Sequence, residues 1–74
     1  MPHIRDILNE IKWTKELKKT ELWIVHRGAP QDTKIIQGSD VIAIEKSFFQ
    51  TPSASIPYHR VFKILYDGVI IFER

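Results

Sequence analysis

The stretch Val61-Phe62-Lys63-Ile64-Leu65-Tyr66-Asp67-Gly68-Val69-Ile70-Ile71-Phe72-Glu73-Arg74 decides the fold. Two runs rich in β-branched and aromatic residues flank Asp-Gly, whose members both tolerate the positive φ that a two-residue hairpin turn demands. With Tyr66 set opposite Val69, a regular ladder divides the hairpin into two faces. One carries Arg60, Phe62, Ile64, Tyr66, Val69, Ile71 and Glu73 and reads as core. The other carries His59, Val61, Lys63, Leu65, Ile70, Phe72 and Arg74. The first strand is read back to about Tyr58, behind the rigid Ile56-Pro57. Neighbouring strand residues point to opposite sides, so His59 and Arg60 reach one ligand only if a bulge near Pro57-Tyr58 turns one of them. In a regular strand Arg60 is set against Glu73, and His59 forms a cationic cluster with Lys63 and Arg74.

Upstream, Ile4, Ile7, Leu8 and Ile11 recur at i, i+3, i+4 and i+7, the stripe of one amphipathic helix of about two and a half turns. Such a helix is marginal alone and must dock on a sheet, with Trp13 expected to close the contact. Residues 14–20 read as a polar connector or a single helical turn. Leu22-Trp23-Ile24-Val25 is a continuous apolar run expected to form a strand packed on both faces. Lys34-Ile35-Ile36 is a short strand, Val41 to Glu45 another, and Ser47 to Gln50 resumes after a bend or bulge at Lys46. Thr51 to Ser55 form a loop. The expected architecture is α+β: an N-terminal helix packed on a strongly bent antiparallel sheet of about five strands, whose bend would allow closure as a small barrel.

Seventy-four residues make one domain, residues 1–74, with no room for a second core. A composition 43% hydrophobic and without cysteine leaves ordinary packing to hold the fold, and it excludes a disulfide framework or a thiol nucleophile. Charge arrives before any apolar run at the start, and no stretch approaches the roughly 20 apolar residues of a membrane helix. The chain is therefore expected to be soluble and cytoplasmic, with no membrane partner. Net charge is only +2, but Lys12, Lys15, Lys18 and Lys19 against Glu16 make a local excess. That cluster reads either as a solvated helix-end face or as a phosphate-contacting patch.

Chemistry concentrates in two places. His26-Arg27-Gly28-Ala29-Pro30 ends one strand, and His59-Arg60 opens another. Arginine's planar fork holds two phosphate oxygens, and Gly28 lets a backbone come close. The candidate phosphate-binding residues are Arg27, His59, Arg60, His26, Lys63 and Arg74. Each has a plainer reading, as a structural hydrogen-bonder or a surface cation. No glycine-rich phosphate loop is present and the three histidines lack metal-ligand spacing, so no cofactor and no metal are expected.

Arg5-Asp6-Ile7-Leu8-Asn9 with Trp13, His26-Arg27-Gly28-Ala29-Pro30, Ile36 through Phe49, Ile56-Pro57-Tyr58-His59-Arg60-Val61 and the ending Val69 to Arg74 together resemble the RNA cyclic group end recognition domain, a family of small, mainly archaeal proteins. The resemblance covers nearly the whole chain. It implies RNA binding rather than catalysis, directed at RNA ends that carry a cyclic phosphate, in RNA end processing or repair. It carries over the polar positions Arg27, His59 and Arg60, with Asp6 and Asn9 on the helix. Phe72 departs from the tryptophan of many relatives, and residues 14–19 lack a proline common after Trp13. In this reading Tyr58 or Trp23 stacks on a base where exposed. Two alternatives stay open: a phosphodiesterase that opens the cyclic phosphate with His26 and His59, and an interaction module that docks on an RNA ligase or phosphoesterase.

Overall fold

A computed structural model describes residues 3–74. The apolar stripe forms helix α1, Ile4–Thr14, which buries Ile4, Leu8 and Ile11. His3 caps it: the imidazole Nδ1 accepts a hydrogen bond from the Arg5 amide at 3.1 Å, satisfying one donor that a helix start leaves orphaned. Each of the three buried side chains contributes about 1.5–3 kcal/mol through burial. Trp13 does not join them and is 80% exposed. At about 100° per residue, Trp13 lies well off the stripe that Leu8 and Ile11 define.

Seven strands follow: β1 Thr20–Val25, β2 Thr33–Gln37, β3 Ala43–Ile44, β4 Phe48–Gln50, β5 Ser55–Pro57, β6 Val61–Tyr66 and β7 Val69–Glu73. They make two antiparallel sheets, ordered β2-β1-β6-β7 and β3-β4-β5. The α+β class holds, but the single five-stranded sheet and its closure as a barrel are corrected. Among the described residues no ladder joins the two sheets. The chain breaks between β5 and β6, where Pro57 has no N–H to donate and Tyr58–Arg60 wind into a 3-10 turn. β5 begins at Ser55, the last residue of the expected loop, and takes in Ile56-Pro57 ahead of the expected strand, and β3 is much shorter than the Val41–Glu45 run.

The core lies between the sheets and under the helix. One cluster joins Ile4 and Leu8 of α1, Leu22, Ile24, Ile36, Val61 and Ile64 of the larger sheet, Phe49 and Ile56 of the smaller one, and Tyr58 of the turn. β1 buries Thr20, Leu22 and Ile24 while Val25 is exposed, so this strand is packed on one face and not on both. The outer face carries Trp23, which faces Ile35 on one side and Lys63 on the other.

The terminal hairpin turns as expected, with φ of 51° at Asp67 and 82° at Gly68, a combination that suits a type I′ turn. Leu65 pairs with Ile70 and Tyr66 with Val69, but the register then shifts, and Ile64 meets Phe72 while Lys63 meets Glu73. A second shift on the β1 side pairs Ile24 with Val61 and Trp23 with Lys63. These irregularities overturn the two-face division of a regular ladder. Val61 and Ile64, three residues apart, both reach the core because the extra residue between them resets the alternation.

Candidate nucleic-acid interface

β1 and β6 are adjacent and antiparallel, so the end of one lies beside the start of the other. The chain beyond β1 therefore meets the chain before β6. Both basic pairs sit at this junction. His26, Arg27, His59 and Arg60, with Val25, line a cleft of about 460 Å³. All four polar residues are exposed. Among the described residues the ion pairs involve Arg5, Lys18, Lys19 and Lys63, and neither Arg27 nor Arg60.

Arg27 stands in a tight reversal between β1 and β2. The Ala29 amide donates to the His26 carbonyl at 3.2 Å, and Gly28 sits at φ 92°, the positive φ that a turn of this kind assigns to glycine. The Gly28 amide donates to Asp32 Oδ1 at 3.3 Å, and the His26 amide to the Asp32 carbonyl at 2.8 Å. Two surface hydrogen bonds to one aspartate thus set where Arg27 projects.

His59 and Arg60 are held differently. They belong to the 3-10 turn Tyr58–Arg60, and the expectation that this segment opens a strand is corrected. No bulge at Pro57-Tyr58 is needed for both side chains to line one cleft, because successive residues of a 3-10 turn are rotated by about a third of a turn rather than half. The turn is anchored from beneath by Tyr58. Its ring is buried against Phe49, with centroids 6.1 Å apart, and its hydroxyl donates to the Glu45 carbonyl at 2.6 Å. Burial pushes the Tyr58 hydroxyl above its ordinary pKa. Tyr58 is therefore a core residue and is not available as a stacking platform.

Arg74 ties the turn from above. Its Nε donates to the Val61 carbonyl at 2.9 Å and its Nη2 to the Tyr58 carbonyl at 3.0 Å. The guanidinium also lies over Phe72, 5.7 Å from the ring centroid. Lys63 is elsewhere. On the outer face its Nζ lies 4.6 Å from the Trp23 ring centroid and 3.5 Å from Glu73 Oε2. The register shift that brings Glu73 opposite Lys63 replaces the Arg60–Glu73 pairing and separates Lys63 from His59. Trp23, whose Nε1 donates to Glu21 Oε1 at 3.2 Å, shares that outer face and lines neither cleft.

His59 also borders a second cleft of about 710 Å³. Ile4, Tyr58, Ile71 and Phe72 supply its apolar walls, and His3, Glu73 and Arg74 its polar ones. The sequence gives no motif for this cleft. The one available signal is the position of His3 directly before the helical stripe, where an N-cap belongs. Among the described residues no group of three or more His, Cys, Asp or Glu side chains could hold a metal ion, and no helix is long and apolar enough to cross a membrane.

Comparison with known proteins finds a family match over the whole chain. The family described as the MJ1316 RNA cyclic group end recognition domain matches residues 1–74. A UPF0248 protein of Methanococcus maripaludis strain C5 is 28% identical over 75 aligned positions, covering 96% of this chain and 97% of the relative. A UPF0248 protein of Methanococcus vannielii is 29% identical, covering 96% of this chain and 90% of the relative. No solved structure matches the chain significantly.

Proposed function

The chain belongs to the RNA cyclic group end recognition family, and from that membership and the shared cleft we propose that it is a non-catalytic module that binds RNA ends carrying a cyclic phosphate, in RNA end processing or repair. The observation that supports this reading best is the meeting of His26-Arg27 and His59-Arg60 in one cleft. A cyclic phosphate diester is a monoanion with two unesterified oxygens. Two guanidinium forks converging from two different turns suit such a group, and an imidazole N–H adds a further donor. Both arginines are free of internal ion pairs among the described residues, so a phosphate would not have to displace a carboxylate.

The test compares one oligonucleotide carrying either a 2′,3′-cyclic phosphate or free hydroxyls at its end, by fluorescence anisotropy at physiological salt. The cyclic end should bind more tightly. Equal affinities would remove end recognition and leave general RNA binding.

Two imidazoles in one cleft also favour a second reading, a phosphodiesterase. One of His26 and His59 would take a proton from the attacking water while the other protonates the departing ribose oxygen, opening the ring to a monoester. Turnover of a cyclic-phosphate oligonucleotide that His59→Ala abolishes would establish this reading over the binder.

A further inference from the structure

A phosphate cleft accounts for only one of the two openings that His59 borders. We propose that the second cleft seats the nucleobase of the terminal nucleotide whose cyclic phosphate occupies the basic cleft. This rests on the anion-binding reading of that first cleft and adds to it what part of the RNA end is read.

Three observations carry the inference. The clefts share a wall at His59, and the phosphate and base of one nucleotide are joined through a single ribose, so their sites must adjoin. The second cleft also offers more apolar surface than the first. Ile4, Tyr58, Ile71 and Phe72 supply that surface, and the Arg74 guanidinium is already committed to the Val61 and Tyr58 carbonyls. A neutral planar base suits such walls, burying its faces and turning its polar edge to His3.

The third observation is a planar platform fixed in advance. The Arg74 guanidinium is pinned by the Val61 and Tyr58 carbonyls and lies over the Phe72 ring. A guanidinium plane held in this way is a recognised stacking surface for an unpaired base, and little conformational freedom remains to be lost on binding. Ile71 is 40% exposed. The register shift between Ile64 and Leu65 leaves it out of the β6 pairing and beside this platform.

The experiment titrates the protein with two small ligands that share one anion: adenosine 2′,3′-cyclic monophosphate and 1-O-methylribose 2′,3′-cyclic phosphate, which lacks the base. Calorimetry should show the nucleotide binding roughly 5- to 100-fold more tightly, the range expected of one stacked base. Methyl NMR signals of Ile4 and Ile71 should shift with the nucleotide and not with the base-free ligand. Ile71→Asp should lower nucleotide affinity to that of the base-free ligand and leave the latter unchanged, whereas Arg27→Ala should weaken both alike. Equal affinity of the two ligands, with sensitivity to Arg27→Ala retained, would overturn the base seat and spare the phosphate site. Binding of neither ligand would overturn both.

Discussion

The two ends of β6 carry similar numbers of cations and dispose of them in opposite ways. At its start, Arg27, His59 and Arg60 line a cleft, and no ion pair among the described residues involves the two arginines. At its end, past Tyr66, the lysine-rich connector folds back. Lys18 and Lys19 each reach Glu16 at 3.5 Å, and Lys15 lies 5.1 Å from the Tyr66 ring centroid. The Asp67 amide donates to the Lys19 carbonyl at 2.8 Å, tying connector to hairpin. A six-residue strand, about 20 Å at the usual rise, separates the ends. Charge density along the sequence points to the lysines. Availability and convergence in space point to the arginines and histidines.

The largest expected effect tests this contrast directly. Replacing Arg27 and Arg60 together by alanine should weaken binding of a cyclic-phosphate oligonucleotide about 100-fold, as loss of two charge-assisted contacts implies. The triple change of Lys15, Lys18 and Lys19 to glutamine should weaken it less than about threefold, each lysine acting only through screened attraction at distance. Anisotropy at a single salt concentration reads both, and the reverse order of effects breaks the comparison.

Next in size is the tie over the turn. Arg74→Ala leaves the Val61 and Tyr58 carbonyls without these donors and should destabilise the fold by about 1–3 kcal/mol in urea denaturation. Arg74→Lys should recover only part, since one ammonium cannot reproduce the fork. Unchanged stability in both variants would mean that the turn holds its shape without Arg74.

Tyr58 supplies a smaller effect with a pH signature. Tyr58→Phe removes one hydrogen bond, worth about 1 kcal/mol at neutral pH. Because burial raises the hydroxyl's pKa from the ordinary value of 10.0, the folded state favours the neutral phenol. The resulting stabilisation is complete below the unfolded-state value and is lost as pH rises through the folded one. The gap between wild type and Tyr58→Phe should therefore narrow in denaturation series carried from neutral pH to above about 10. A gap that stays constant would show that the hydroxyl ionises equally in both states.

The smallest change is expected at the lysine end. Glu16→Gln releases Lys18 and Lys19 from an exposed carboxylate and should alter stability by less than about 0.5 kcal/mol. A clear rise in RNA affinity on the same change would sharpen the comparison, because it would show that pairing with Glu16 withholds these lysines from nucleic acid.

The features legible in the sequence are those set by neighbours in the chain. The helical stripe from Ile4 to Ile11 and the Asp67-Gly68 turn need only local periodicity and local φ. Register and turn at the site depend on distant partners. Tyr58 is anchored by Glu45, and the carbonyls of Tyr58 and Val61 by Arg74. No pattern within residues 56–62 announces either contact, so a regular strand is the natural reading of that stretch and the wrong one. The residues of the basic cleft are legible by type, since both His-Arg pairs stand beside strand ends. Their meeting depends on Ile24 pairing with Val61, a choice of neighbour that hydrophobic pattern does not encode. The second cleft was silent because its walls come from α1, the turn and β7, and its apolar members look like ordinary core.

The Tyr58 hydroxyl bond to Glu45 reaches across from the 3-10 turn to the segment between β3 and β4, where the Glu45 amide also donates to the Phe48 carbonyl at 2.9 Å. The smaller sheet is thereby tied to the turn that carries His59. Amide hydrogen exchange at Glu45 and Phe49 should slow when the basic cleft is filled, making this remote hairpin a gauge of occupancy for a site it does not line.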